Sequence, residues 1–179
     1  MEKTNFKYLI GFLGANFYRF LRVFPNSDPL MGFILPAAKN TEWWKAPLFA
    51  FASMVGFSYL INSVGPWTWV TATTYALIAL GFHFFLKNKK STLKLFISSG
   101  LIGVLIFDLI TGPIMSSFLF NQSFLITTIM QVPFTIMHLI SVVFGIVIIS
   151  PFYDAALMKE ISQMVSSVKN TYKNFRLQL

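Results

Sequence analysis

Between Lys94 and Asp154 the chain carries one charged side chain, Asp108, within the stretch FDLITGP (107–113). A carboxylate in hydrocarbon costs at least roughly 2.5 kcal/mol on insertion scales, so Asp108 is expected to face protein or water. The polar residues that could act with it are Gln131 and His138. An aspartate and a histidine can pass a proton, and a glutamine amide can orient a small molecule through hydrogen bonds. A fifth apolar segment ending at 115 puts Asp108 roughly 10 Å below its outer end, at a rise of about 1.5 Å per residue. A sixth segment starting at 125 puts Gln131 at roughly the same depth and His138 one to two turns deeper by the same count. That separation is poor for direct proton transfer. An intramembrane enzyme using Asp108 and His138 therefore ranks last among the function classes, and Asp108 with Gln131 reads as part of a binding pocket.

Asn62, Trp67, Thr68 and Trp69 gather at the mouth of the third and fourth segments, and Asn121 and Gln122 lie in the last connection. An apolar pocket with a few fixed polar groups suits a small molecule. The candidate substrate-binding residues are Asn62, Trp67, Trp69, Asp108, Gln131 and His138. Each has a plainer reading. The tryptophans fit an interfacial belt, Asp108 fits a cap near a kink at Gly112-Pro113, and Gln131 and His138 fit interhelical hydrogen bonding.

Other chemistry is scarce. The chain has no cysteine, which removes disulfides and thiolate chemistry, and its two histidines are too few for a typical structural metal site. There is no Walker A sequence, no G-x-S-x-G elbow and no H-E-x-x-H. No enzymatic activity, cofactor or nucleic-acid partner is expected. NQS (121–123) matches a glycosylation sequon, a weak signal.

The elements that must position these residues are read from composition. The 179 residues are 55% hydrophobic and 11% charged, with 21 phenylalanines. An ordinary soluble domain is nearer a quarter charged. The apolar runs are continuous rather than alternating, which argues helices over a β-barrel. The expected fold is all-α: a polytopic membrane protein with a six-helix transmembrane bundle, one helix short, plus a C-terminal amphipathic helix. The segments are 5–24, 27–39, 43–62, 67–86, 95–115 and 125–151. Lys7, Arg19 and Arg22 punctuate the first, which could lie in the interface instead of spanning. PNSDP (25–29) ends it, and Asp28 is placed to cap a short second helix that is partly buried or re-entrant. Pro133 is expected to kink the last helix. Residues 1–151 form the bundle and 152–179 a cytoplasmic tail.

In the tail, Met158, Ile161, Val165, Val168, Tyr172 and Phe175 recur at spacings of three and four, one apolar face. Lys159, Lys169, Lys173 and Arg176 could meet anionic headgroups; a helix docked on the protein itself fits equally. The formal net charge is +8. Placing both termini in the cytoplasm puts Lys39, Lys45, Lys87, Lys89, Lys90, Lys94 and the basic tail inside, in line with the positive-inside rule. Arg19 and Arg22, near the outer end of the first segment, are the exception. The expected location is the plasma membrane, multi-pass.

The order of FPNSDPL (24–30), SVGPWTW (63–69), GLIGVLIFDLITGP (100–113), QVPFTIMHL (131–139) and ISP (149–151) resembles the substrate-binding S components of energy-coupling factor (ECF) vitamin transporters. The resemblance covers roughly residues 6–153, and G-P-W-T is its most specific part. It implies a six-helix protein that holds a vitamin-like micronutrient near the outer face. It also implies partners, a membrane T component and two cytoplasmic ATPases. In such proteins the first helix docks on the T component through small residues; Gly11 and Ala15 stand at the matching i, i+4 spacing. The alternative is a non-transport membrane scaffold that recruits partners through its basic tail.

Overall fold

The computed structural model describes residues 3–21 and 29–176. They form seven helices, with no strand among the described residues. These are α1 (Lys3–Leu21), α2 (Leu30–Asn40), α3 (Lys45–Leu60), α4 (Pro66–Leu86), α5 (Leu93–Phe120), α6 (Phe124–Tyr153) and α7 (Ala155–Arg176). Three of them, α4, α5 and α6, are long and apolar enough to cross a membrane. The turn at 25–28, with Asp28, lies outside the described residues, as does Arg22.

The short second helix is the centre of the molecule. All nine residues from Leu30 to Ala38 are buried. A helix apolar on every side must be covered on every side, and α2 is. Phe33 packs its ring at 5.8 Å from Phe49 of α3 and 5.3 Å from Tyr153 of α6. Small residues let the neighbouring backbones approach. A Cβ on Gly32 would lie 2.5 Å from the Gly145 carbonyl oxygen of α6, and one on Gly103 of α5 would lie 3.0 Å from Met31 Cε. The Ser150 hydroxyl of α6 donates to the Gly32 carbonyl at 2.9 Å.

α1 runs parallel to α3 along one edge, with Phe12 beside Phe49 near one end and Arg19 over the Phe57 ring, at 4.2 Å, near the other. Its opposite face leaves Phe6, Leu9, Leu13, Phe17 and Phe20 exposed.

One end of the bundle carries the lysines and is held by polar contacts. Lys39 Nζ donates to the carbonyls of Leu86, at 3.1 Å, and Lys89. His83 Nδ1 lies 2.8 Å from the Ala38 carbonyl and must donate, because a carbonyl only accepts. Asp154 gathers three elements: Asn40 of α2 and Ser91 before α5 donate to Oδ2, while the Ala156 and Leu157 amides of α7 donate to Oδ1. It is thus the N-cap of α7. At the opposite end α3 and α5 stop on asparagines in the left-handed conformation, Asn62 (φ 52°) and Asn121 (φ 51°). Asparagine tolerates that conformation better than other side-chain-bearing residues, so each is a helix stop signal.

α5 extends beyond its expected end. A π-helical segment, Ile110–Ile114, contains Pro113, and the helix resumes as Met115–Phe120. Proline has no N–H for the helical ladder, and a one-residue bulge absorbs the gap without breaking the helix. The expected connection 116–124 shrinks to 121–123. α6 likewise continues through Pro133.

Candidate functional site

α4, α5 and α6 converge on a buried polar centre. Asp108 lies on the inward face of α5 with Ser99, Gly100, Gly103, Val104 and Phe107. His138 is the first buried residue of α6, followed by Val142, Gly145 and Ile146 on the same face. Its Nδ1 is 2.9 Å from Asp108 Oδ1, with both side chains almost wholly buried. With Asp108 ionised its oxygens only accept, and Nδ1 then carries the hydrogen of that bond. On the far side of the ring, His138 Nε2 lies 3.4 Å from the hydroxyl of Tyr75, a fully buried residue of α4. Phe107 closes the centre, its ring 4.2 Å from Tyr75 and edge-on to His138 at 5.9 Å.

The geometry overturns the depth estimate that separated Asp108 from His138. The fifth helix ends at Phe120, not at 115, and the sixth starts at Phe124. Asp108 is then about 18 Å below the end of α5, and His138 about 21 Å below the start of α6, at ~1.5 Å per residue. The two residues share a level and touch. Gln131 lies about two turns nearer the opposite end than His138, against Gly112: a Cβ there would sit 2.7 Å from Gln131 Oε1. Gly112 makes room for that amide, and Gln131 pairs in depth with the π-helical segment instead of with Asp108.

One atom of the centre is unsatisfied. Asp108 Oδ2 is buried and has no hydrogen-bond partner. A buried acceptor left unpaired costs about 1–3 kcal/mol, more when charged. Asp108 can therefore still accept a hydrogen bond from an N–H, an O–H or a cation. Four further buried atoms among the described residues have no partner: Ser99 Oγ on the inward face of α5, and Asn16 Oδ1, Arg19 Nη1 and Ser53 Oγ on α1 and α3. The last three sit on the stripes where Phe12 meets Phe49 and Arg19 meets Phe57.

The other expected binding residues are elsewhere. Asn62, Trp67 and Trp69 are exposed at the opposite end, and Trp69 rests 6.3 Å from the Phe51 ring. The residue between the tryptophans, Thr68, is the one turned inward. Its hydroxyl oxygen accepts from the Gly65 amide at 3.2 Å and caps α4. Gly11 and Ala15 are packed inside the chain: a Cβ on Gly11 would lie 2.8 Å from both Phe33 and the Tyr153 hydroxyl.

Sequence reasoning missed Tyr75. Its signal was the spacing Thr68, Thr71, Tyr75, in which polar groups repeat at three and four along the inward face of α4. An open groove of about 420 Å³ lies between α1, α2 and α6, walled mainly by Ile10, Phe33, Ile149 and Phe152. It is nearer the lysine-rich end, and Asp108 is not among its walls. Comparison of the chain with protein families, with curated proteins and with solved structures returns no match.

Proposed function

We propose that the protein is a membrane-embedded substrate-binding subunit of the ECF S-component kind, serving uptake of a vitamin-like micronutrient. The observation that carries this reading is the Asp108 carboxylate, buried between helices, held at one oxygen by His138 and without a hydrogen-bond partner at the other. Such a group is costly in an apolar bundle unless something donates to it. A small molecule presenting an N–H or O–H would do so. In this reading α1 to α6 are six membrane elements, with α2 the short one. The lysine-rich end and both termini are cytoplasmic, and the protein lies in the plasma membrane. A T component and two ATPases supply the energy. With Gly11 and Ala15 packed inward, the T component meets the exposed Leu13, Phe17 and Phe20 of α1.

The test is native mass spectrometry of gently purified protein. A co-purified small molecule is expected in the wild type, and Asp108→Asn should lose it while remaining folded. Wild-type occupancy in Asp108→Asn would defeat the reading. Affinity purification separates uptake from scaffolding: ATPases and a T component support the first, other membrane proteins the second. The Asp108–His138 contact also favours a second reading, proton transfer inside the membrane. A substrate turned over by the wild type but not by His138→Gln would establish it.

A further inference from the structure

We propose that α7 lies on an anionic membrane surface, with its apolar stripe turned toward the acyl chains and its lysines among the headgroups. The first turn of α7 fixes its direction. Asp154 caps it, and Glu160 Oε2 accepts from the Leu93 amide at the start of α5, at 2.8 Å. The helix therefore passes under α5 at the lysine-rich end. Leu157 is fully buried against the bundle. Leu157, Ile161, Met164 and Val168 follow the spacing four, three, four and share one face of the helix.

That face changes surroundings along its length. Leu157 is buried and Ile161 half-buried, while Met164 and Val168 are 43% and 69% exposed. The stripe that docks on the bundle thus runs on past the bundle's edge without turning away. For a chain whose α4, α5 and α6 are long and apolar enough to cross a membrane, what lies beside that edge is the bilayer interface. Charge says which kind of interface. From Ile161 to the C-terminus there is no Asp or Glu, while Lys169, Lys173 and Arg176 are basic. Each such charge near an anionic leaflet contributes attraction that neutral lipid does not offer. The lone acid of the first turns, Glu160, is already engaged by the Leu93 amide. A strongly amphipathic helix with basic residues flanking its apolar face, at positions 169 and 176, and opposite it, at 159 and 173, is the pattern of interfacial helices. The inference rests on the membrane placement and is independent of any substrate.

The chain has no cysteine, so single cysteines report cleanly. The full-length protein carries Val168→Cys on the stripe or Asn170→Cys on the opposite face, each bearing a nitroxide. Each is placed in lipid nanodiscs with or without phosphatidylglycerol, at one copy per disc and, in a parallel series, at two. In anionic discs, collision with a water-soluble nickel chelate should be several-fold lower at position 168 than at 170. The protection at 168 should fall in neutral discs, and in anionic discs when Lys169→Glu and Lys173→Glu are added. Equal accessibility at 168 and 170 in anionic discs overturns the proposal. Equal protection in both lipids overturns the headgroup assignment. Protection only when two copies share a disc assigns the face to a second copy instead.

Discussion

Asp108 of α5 and His138 of α6, thirty positions apart in sequence, meet at 2.9 Å in the interior of the bundle. They do so because the two helices are joined by only three residues and because α5 keeps its helical course through Pro113. The contact converts an isolated acid into one member of a linked set, Tyr75–His138–Asp108, to which each helix gives one residue.

The set makes unequal demands on its members. His138→Ala leaves a buried carboxylate with neither oxygen paired, and removing one partner of a buried pair costs about 3–5 kcal/mol. Tyr75→Phe keeps the packed ring and gives up a neutral hydroxyl's contacts, among them the one at 3.4 Å to His138, each worth about 0.5–1.5 kcal/mol. Thermal denaturation in detergent should rank His138→Ala far below Tyr75→Phe. The reverse order would mean that the imidazole is not Asp108's essential partner.

If a small molecule donates to Asp108 Oδ2, Asp108→Asn should weaken its binding at least tenfold, about 1.4 kcal/mol. The asparagine can turn its amide nitrogen toward the site, replacing an acceptor with a donor. Equilibrium binding of the molecule identified by mass spectrometry measures this directly, and the melting temperature of the unliganded variant reports separately on folding.

Two glycines give opposite expectations. A methyl on Gly32 meets the Gly145 carbonyl at 2.5 Å and Ile149 Cβ at 2.9 Å, while one on Gly14 meets nothing within 4 Å. Gly32→Ala should destabilise by about 1–3 kcal/mol through overpacking against backbone that cannot yield. Gly14→Ala should be neutral or stabilising by up to about 1 kcal/mol, since alanine is the better helix former. Parallel melting curves of the two variants decide it.

Asp154 sets a pH dependence. Burial pushes its carboxyl upward, but hydrogen bonds from Asn40, Ser91 and the Leu157 and Ala156 amides outweigh this and hold it below the ordinary value. A folded value lower than the unfolded one stabilises the protein at pH above the unfolded carboxylate's midpoint, about 3.9. That stabilisation is lost as pH falls through the lower folded value. The stability gap between wild type and Asp154→Asn should therefore be constant near neutrality and narrow below about pH 4. At neutral pH, Asp154→Ala should cost about 0.5–2 kcal/mol as a lost N-cap.

The helical architecture was legible in the sequence because apolar runs bounded by PNSDP, NSVGP and KNKKST leave few other readings. A short second segment was legible for the same reason, but whether it was a partly buried helix or a re-entrant piece was left open, and its burial on every side emerges only from the packing. The end of α5 was not legible. Gly112-Pro113 and the polar pair Ser116-Ser117 look like a terminus, and only the π-helical segment lets the chain stay helical to Phe120. That misplaced boundary made Asp108 too shallow by five residues, paired it with Gln131, and set His138 apart. The tryptophans illustrate a different limit. Trp67 and Trp69 draw the eye, but α4 turns Thr68, Thr71 and Tyr75 inward. A run that is apolar on all sides carries little phase information, so its inward face emerges only from packing.

At eleven residues, α2 is about 16 Å long, roughly half the hydrocarbon thickness. Such a segment has no stable berth in lipid alone, and the partner that covers Gly32 is Gly145, more than a hundred residues downstream. When a ribosome has made α2, the wall it leans on does not yet exist. The core of this protein is therefore completed last, after α6 has emerged, and any truncation before Gly145 should leave α2 homeless and the whole chain a substrate for membrane quality control.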